Sequence, residues 1–437
     1  MSVRQKASDI VLSIISTKFI KNFSFLFFGS AASQIIAFLS LPFLTYLYNA
    51  SAFGQLELFL SIGALVAALA NFRLEYIIGL VHEHKEANNV LILCLLSNII
   101  FFFLTLIVCF VSFKIFQIEK IFLLLPVYIF ISAFSESLKY YQLRQENYSN
   151  VAYFRTLKVA LIVASCFLMV GLGFSCYGLI FGNILGEILA SILLVKVSKN
   201  FSFYDFSFNI IKQIYAQHKV LTKTLFSSQI IGIIAVRIPS LFISVLGSKE
   251  ELGYYSICRQ ILAAPTMIAE NIGSIYRQEA IRENRKFGKF NDCFSLYFII
   301  ISSFAAAIFS FLFFCADIII SIVAKKFSDG VEAYFYVLLI STFFAFISTP
   351  LDKSAQIVGA HKYILFWHIS RVFIMISGSI ICYGLESSVF AYLVFLTICN
   401  SLFYAYDIGY EYYLSFENKK RTLDRNVSGN VCSNTVV

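Results

Sequence analysis

Long apolar runs recur along the chain between short polar breaks, and their lengths match a bilayer. A membrane-crossing helix needs about twenty mostly apolar residues. Such runs lie near 23–47, 53–81, 90–113, 121–138, 151–174 and 177–198. After a polar interval, six more lie near 224–246, 252–276, 290–314, 331–350, 363–384 and 387–414. The pattern predicts an all-α polytopic membrane protein of about twelve transmembrane helices. Its expected parts are an N-terminal segment (1–22), a six-helix bundle (23–198), a connector (199–223), a second six-helix bundle (224–414) and a tail (415–437). The first segment is amphipathic, with Ile10, Val11, Leu12, Ile14 and Ile15 among Lys and Ser, and it lacks a small-residue cleavage site. It is therefore expected along the inner membrane surface and not as a secretory signal. The connector alternates aromatics with charge, which suits an interfacial helix.

The stretch Leu225–Tyr255 concentrates the unusual features. It begins as a membrane-length apolar run whose single charge is Arg237, and Pro239 follows two residues later. Proline has no N–H and frees the Ala235 carbonyl, so a bend beside the charge is expected. A cation at a helix centre costs at least ~2.5 kcal/mol in lipid, and it must face water or an anion. The stretch also echoes an earlier one. Ser33-Gln34-Ile35-Ile36 matches Ser228-Gln229-Ile230-Ile231, Pro42 falls near Pro239, and Phe53-Gly54 falls near Leu252-Gly253. The offsets are 195, 197 and 199 residues, and the kept order points to a duplicated half, as in transporters built from repeats.

Composition agrees. The 437 residues are 59% hydrophobic and only 14% charged, where soluble domains carry about a quarter charged residues. The net charge of +9 would point to nucleic acid in a soluble protein. Here the cytoplasmic loops, which retain Lys and Arg, account for it. Of the basic residues, 23 lie on the side of the two termini and the connector and 5 on the other, so both termini are expected in the cytoplasm. The ten cysteines are scattered, with Cys94, Cys109, Cys166 and Cys382 inside apolar runs and no Cys-x-x-Cys pair. They read as packing residues, with neither a disulfide framework nor a metal site.

Several short motifs in order resemble the bacterial polysaccharide flippases, the Wzx-type repeat-unit translocases of the multidrug/oligosaccharidyl-lipid/polysaccharide exporter superfamily. Lys21-Asn22 enters the first span, Phe53-Gly54-Gln55 opens the second, and Glu75-Tyr76-Ile77-Ile78 closes it. Arg144-Gln145-Glu146-Asn147-Tyr148 precedes the fifth. Later come Leu252-Gly253-Tyr254-Tyr255-Ser256, Arg259, Ala264-Pro265 and Ser348-Thr349-Pro350. One departure is Tyr276-Arg277-Gln278-Glu279, where the family often has a proline. The resemblance implies two pseudo-symmetric six-helix bundles around a central cavity that opens alternately to each face. It also implies an oligosaccharide cargo linked through pyrophosphate to an undecaprenyl carrier, made for O-antigen or capsule in the bacterial inner membrane.

Six basic residues fall within spans: Arg73, Arg155, Lys158, Arg237, Arg259 and Arg371. Against a pyrophosphate, arginine's planar fork makes two parallel hydrogen bonds. A graded set of cations would draw such a headgroup from the cytoplasmic mouth toward the midplane, with Arg237 deepest. The structural alternatives are specific. Arg155, Lys158 and Arg259 lie near enough to an interface to snorkel. Arg73 has Glu75 nearby, but residues two apart do not face each other on a helix, which leaves Glu136 or Glu187 as its partner. Arg371 has Asp407 on a neighbouring span. If an H+ or Na+ gradient drives the cycle, Glu75 and Asp407 are the candidate ion-coupling residues, and the same two are candidate counter-ions for the arginines. His368 is a candidate proton carrier. The tyrosine clusters read as interfacial belts.

Rival functions differ in what they need. A polymerase or ligase needs a long outer loop with acid and base, whereas the outer segments near 114–120 and 315–330 are short and show no paired carboxylates or nucleophile motif. A transporter with no cofactor is expected. A cation-coupled multidrug exporter would centre on acidic residues, and a peptidoglycan-precursor flippase can carry extra spans. The expected partners are the lipid-linked oligosaccharide, membrane lipid, a coupling ion and a polysaccharide polymerase, with no nucleic acid.

Overall fold

The computed structural model describes residues 28–81, 83–174, 176–198 and 206–416. Among these the regular elements are helical, as expected. They are α1 (Phe28–Leu47), α2 (Ala50–Ala70), α3 (Glu75–Ile78), α4 (His84–Phe116), α5 (Leu125–Arg144), α6 (Tyr148–Gly171), α7 (Gly178–Val197) and α8 (Phe208–Leu246). Then follow α9 (Lys249–Phe287), α10 (Asn291–Phe314), α11 (Ala316–Val323), α12 (Ser328–Leu351), α13 (Lys353–Val358), α14 (His361–Gly384) and α15 (Val389–Ser415). Ten helices among the described residues are long and apolar enough to cross a membrane. The expected spans near 224–246 and 252–276 lie inside α8 and α9, each 39 residues long, and α8 contains the shorter apolar stretch Ile230–Leu246. Pro239 sits within α8 without ending it. The expected amphipathic segment 1–22, residues 199–205 of the connector and most of the tail lie outside the described residues.

By their contacts the described residues form two units. One comprises those of Met1–Ser256 with Val323–Lys326, and the other those of Ile257–Ile322 and Phe327–Val437.

In the first unit, small residues let backbones touch, as membrane helices require in place of a hydrophobic drive. Gly182 and Gly186 share a face of α7, and a Cβ on them would lie 2.7 Å from Cys166 Cα and 2.4 Å from Ile162 Cα of α6. Two apolar clusters fill the remaining space. One surrounds Ile78, Leu91, Cys94 and Tyr141, and the other Phe59, Ala70, Ile129 and Ile180. The first turns of α2 and α9 cross so closely that a Cβ on Gly54 would lie 1.9 Å from the Lys249 carbonyl oxygen. A Cβ on Gly253 would lie 1.9 Å from that of Ala50. Beside the crossing, Glu119 pairs with Lys249 and accepts hydrogen bonds from Gln55 Nε2 at 3.4 Å and the Tyr177 hydroxyl at 3.2 Å.

The sequence predicts one continuous span over 53–81, but the helix stops at Ala70 and resumes at Glu75. Phe72 (φ 47°) and Arg73 (φ 58°) occupy the left-handed region between. A break inside an apolar helix is tolerable only if neighbours satisfy the freed backbone. Here the Ser97 hydroxyl donates to the Ala70 carbonyl. The Asn71 amide donates to the Ala133 carbonyl and the Ser137 hydroxyl, each at 2.9 Å.

In the second unit, Gly273 of α9 lies against Pro350 of α12, and Phe335 and Phe346 of α12 are fully buried. The Tyr276 hydroxyl bonds that of Ser354 at 2.6 Å. Ser348 of α12 donates to Asp407 of α15 at 2.7 Å. These bonds hold α12, α13 and α15 around the polar site described next.

Candidate functional site

Among the described residues, Arg73, Lys158 and Arg237 each lie within ion-pair distance of a carboxylate. Arg237 of α8 is 3.6 Å from Glu57 Oε1 of α2. The same oxygen accepts from the Ser240 hydroxyl at 2.7 Å and the Ser61 hydroxyl at 3.3 Å, while Oε2 accepts from Ser256 at 3.4 Å. Lys158 of α6 pairs with Glu187 of α7 at 2.7 Å, and that carboxylate is buried. Arg73 pairs with Glu75 at 3.1 Å. This overturns the expectation that residues two apart cannot meet, because the rule holds for a continuous helix and the chain is broken between them. Glu136, the other partner weighed for Arg73, pairs instead with Lys139 at 2.5 Å. Arg155 donates to the Ser30 hydroxyl of α1, and Arg259 is half-buried on α9.

Arg371 has a different environment. On α14, Tyr363, Trp367 and Arg371 recur every fourth residue and so share a face. On α15, Asn400, Tyr404, Asp407 and Glu411 recur every third or fourth residue and do the same. Between these faces, α12 and α13 complete a cavity of about 200 Å³. Arg371 Nε donates to Asn400 Oδ1 at 3.1 Å. The guanidinium carbon lies 5.3 Å from the Trp367 ring centre and 5.0 Å from that of Tyr404, within cation–π range of both. Asp407 lines the same cavity, but its oxygens accept from Ser348 and from the Tyr363 hydroxyl, each at 2.7 Å. Glu411 accepts from the Ala355 backbone N–H at 2.6 Å. The ion pair weighed for Arg371 and Asp407 therefore does not form. Among the described residues no carboxylate lies within 4.0 Å of Arg371, whereas Arg73, Lys158 and Arg237 each have one. The Trp367 indole nitrogen and His368 Nδ1 are buried with no hydrogen-bond partner among the described residues.

Of the two candidate ion-coupling residues, Asp407 has both oxygens engaged. Glu75 is buried, and its Oε2 has no hydrogen-bond partner among the described residues.

The sequence matches the family described as polysaccharide biosynthesis protein over residues 47–329. The chain belongs to that family. The resemblance to polysaccharide flippases carried by the short motifs is borne out. The matched part of this family member contains Arg73, Arg155, Lys158, Arg237 and Arg259, while Arg371 and Asp407 lie beyond it. No curated protein matches the chain. Its fold is similar to that of a multidrug resistance MATE family transporter of the MOP superfamily in an inward-facing conformation. The two share 15% identity, 90% of this chain and 95% of that one are covered, and the TM-score is 0.67. It is also similar to a MOP superfamily transporter from Pyrococcus furiosus, with 13% identity, 90% and 94% coverage and a TM-score of 0.60. At these identities the likeness concerns the fold. The family member is thus a multi-pass membrane protein with a transporter fold.

The sequence reading missed Trp367, Tyr404, Asn400 and Glu57 as partners of the cations. A signal existed for Trp367: the only tryptophan in the chain stands one helical turn before an intramembrane arginine.

Proposed function

We propose that the protein is a flippase that moves undecaprenyl-pyrophosphate-linked oligosaccharide from the cytoplasmic to the outer leaflet of the bacterial inner membrane, for O-antigen or capsule synthesis. The observation that carries the reading is Arg371, a cation in a membrane-spanning helix beside a cavity, with no carboxylate within 4.0 Å of it among the described residues. Keeping such a charge in the membrane is costly, and an anionic headgroup supplies what the protein withholds. In this reading Arg371 and Arg237 contact the pyrophosphate, and Arg73, Arg155, Lys158 and Arg259 set a positive field along its path. Two bundles, 23–198 and 224–414, rock to expose the headgroup outward while the polyprenyl tail stays in lipid. Both termini face the cytoplasm, and a polysaccharide polymerase receives the cargo outside. Glu75 or Asp407 takes up H+ or Na+ if an ion drives the cycle, and Glu75 is the better placed because one of its oxygens is unspent.

Mass spectrometry of lipid extracts tests this. A strain lacking the protein is expected to accumulate polyprenyl-pyrophosphate oligosaccharide, and Arg371→Ala or Arg237→Ala to reproduce that loss with the protein still in the membrane. The Lys variants should restore part of the activity. Normal surface polysaccharide in both Ala variants would remove these residues from the mechanism. The fold's likeness to multidrug transporters favours drug export as the second reading. Drug sensitivity of the deletion strain without lipid accumulation would support it.

A further inference from the structure

The cavity in the second unit holds chemistry of two kinds, and we infer that it takes one sugar residue bearing an anionic group, a phosphate or a carboxylate. This deepens the flippase reading and rests on it for the source of the sugar. On one side stand unspent donors. Arg371 is fixed through Nε by Asn400 and flanked by Trp367 and Tyr404, and the Trp367 indole N–H is buried without an acceptor among the described residues. Arginine offers five donors and no acceptor, so this side calls for an anion.

The other side stands ready to accept. Asp407 is held by Ser348 and Tyr363, and Glu411 by the Ala355 N–H. A carboxyl group keeps acceptor capacity beyond one or two hydrogen bonds whether or not it is ionised, so each can still accept. Ser348, Thr349 and Gln356 add polar groups to the lining. A bare phosphate or pyrophosphate has no sugar hydroxyls to offer the carboxyl groups of Asp352, Asp407 and Glu411 that line the cavity. A neutral sugar leaves the Arg371 charge unanswered. A ring with adjacent hydroxyls and one anionic substituent satisfies both sides. The volume of about 200 Å³ suits a single six-membered ring, so the rest of a saccharide lies outside the cavity.

Trp367 is the only tryptophan in the chain, so the intrinsic fluorescence of the purified full-length protein reports on this cavity directly. Detergent-solubilised protein is titrated with glucose 1-phosphate, N-acetylglucosamine 1-phosphate, galacturonate, glucose and inorganic pyrophosphate. The expected result is a saturable change with at least one anionic sugar at a tenfold lower concentration than with glucose or pyrophosphate. Whether a 1-phosphate or the uronate responds identifies the source as the carrier linkage or an acidic sugar. Arg371→Gln should weaken the response to that sugar tenfold or more. Asp407→Asn should erase its advantage over pyrophosphate. Both variants are checked for monodispersity and helical content. A response to pyrophosphate equal to or stronger than that to every anionic sugar would overturn the sugar inference and leave the proposed cargo standing. So would the absence of a saturable response to any ligand from well-folded wild-type protein. Failure of the flippase reading itself would appear elsewhere, as a deletion strain that accumulates no lipid-linked saccharide.

Discussion

The crossing of α2 and α9 makes a quantitative demand on two glycines. A Cβ at Gly54 or at Gly253 would stand 1.9 Å from a backbone oxygen, whereas ordinary contact begins at 3.4 Å. Alanine at either position therefore needs about 1.5 Å of displacement, and the obstacle is backbone, which cannot rotate aside. Overpacking of this kind costs ~1–3 kcal/mol, or roughly 2–6 °C in thermal midpoint on the scale of larger domains. The contact is also reciprocal. Gly54 meets Lys249 and Gly253 meets Ala50, and the two pairs are related by the 199-residue offset of the sequence repeat. That is the form of an isologous contact between equivalent elements. Gly54→Ala and Gly253→Ala should accordingly cost similar amounts, and the double variant less than their sum, since the first displacement makes room for the second Cβ. Melting followed by circular dichroism measures the cost. A bifunctional thiol reagent joining Glu119→Cys to Lys249→Cys, in a Cys176→Ser background that removes the exposed thiol next to Tyr177, measures the spacing. Both Ala variants are expected to lower the crosslinking yield. Midpoints within 1 °C of wild type and an unchanged yield would refute the close crossing.

Two further outcomes follow from the ion pairs. Glu57→Gln leaves Arg237 without its paired carboxylate and is expected to lower stability by ~1–3 kcal/mol, less than the ~3–5 kcal/mol of a fully buried pair because the Arg237 side chain keeps 23% of its exposure. Thermal unfolding of the single variant against Glu57→Gln/Arg237→Gln checks this, since the double variant should recover part of the loss. At Lys158 and Glu187, Lys158→Met should destabilise more than Glu187→Gln, because it strands a buried carboxylate while the half-exposed ammonium can reach water. Equal losses in a double-mutant cycle would contradict that asymmetry.

The spans were legible because a bilayer imposes one simple requirement, a long apolar run, and the chain meets it repeatedly. The break at Asn71–Leu74 was not, because the Ser97 hydroxyl that satisfies the Ala70 carbonyl and the Ala133 and Ser137 groups that hold the Asn71 side chain are all distant in sequence. That break then reversed the reading of Arg73 and Glu75. For Arg371 the sequence placed the right helix opposite but the wrong residue on it. Asn400 and Asp407 are seven apart, so both face the same way along α15. Only the relative height of α14 and α15 decides between them, and no local pattern encodes it. Trp367 was passed over for a related reason. In a chain with 49 phenylalanines and 25 tyrosines, an aromatic residue carries little information until its neighbour is known to be a cation.

Counter-ions also rank the cations as ligands for an anion. Lys158 is committed: it pairs at 2.7 Å with a buried glutamate, and a phosphate drawing it away would cost that glutamate its ion pair. Arg73 is similarly held at 3.1 Å by Glu75. Arg237 is looser, because it stands 3.6 Å from a carboxylate whose oxygens already accept from three serine hydroxyls. Glu57 would remain hydrogen-bonded if the guanidinium turned toward a phosphate, so the exchange costs less there. Arg371 has no carboxylate within 4.0 Å among the described residues, and Asn400 holds it instead. A carrier must hold its cargo and then release it, and a cation with a weak internal partner suits that need. It exchanges one acceptor for another without exposing a bare charge, which a tightly paired lysine cannot do and a fully unpaired one does at greater cost. In the proposed function this need is best met within the first unit by Arg237, with Glu57 as the internal competitor for its guanidinium.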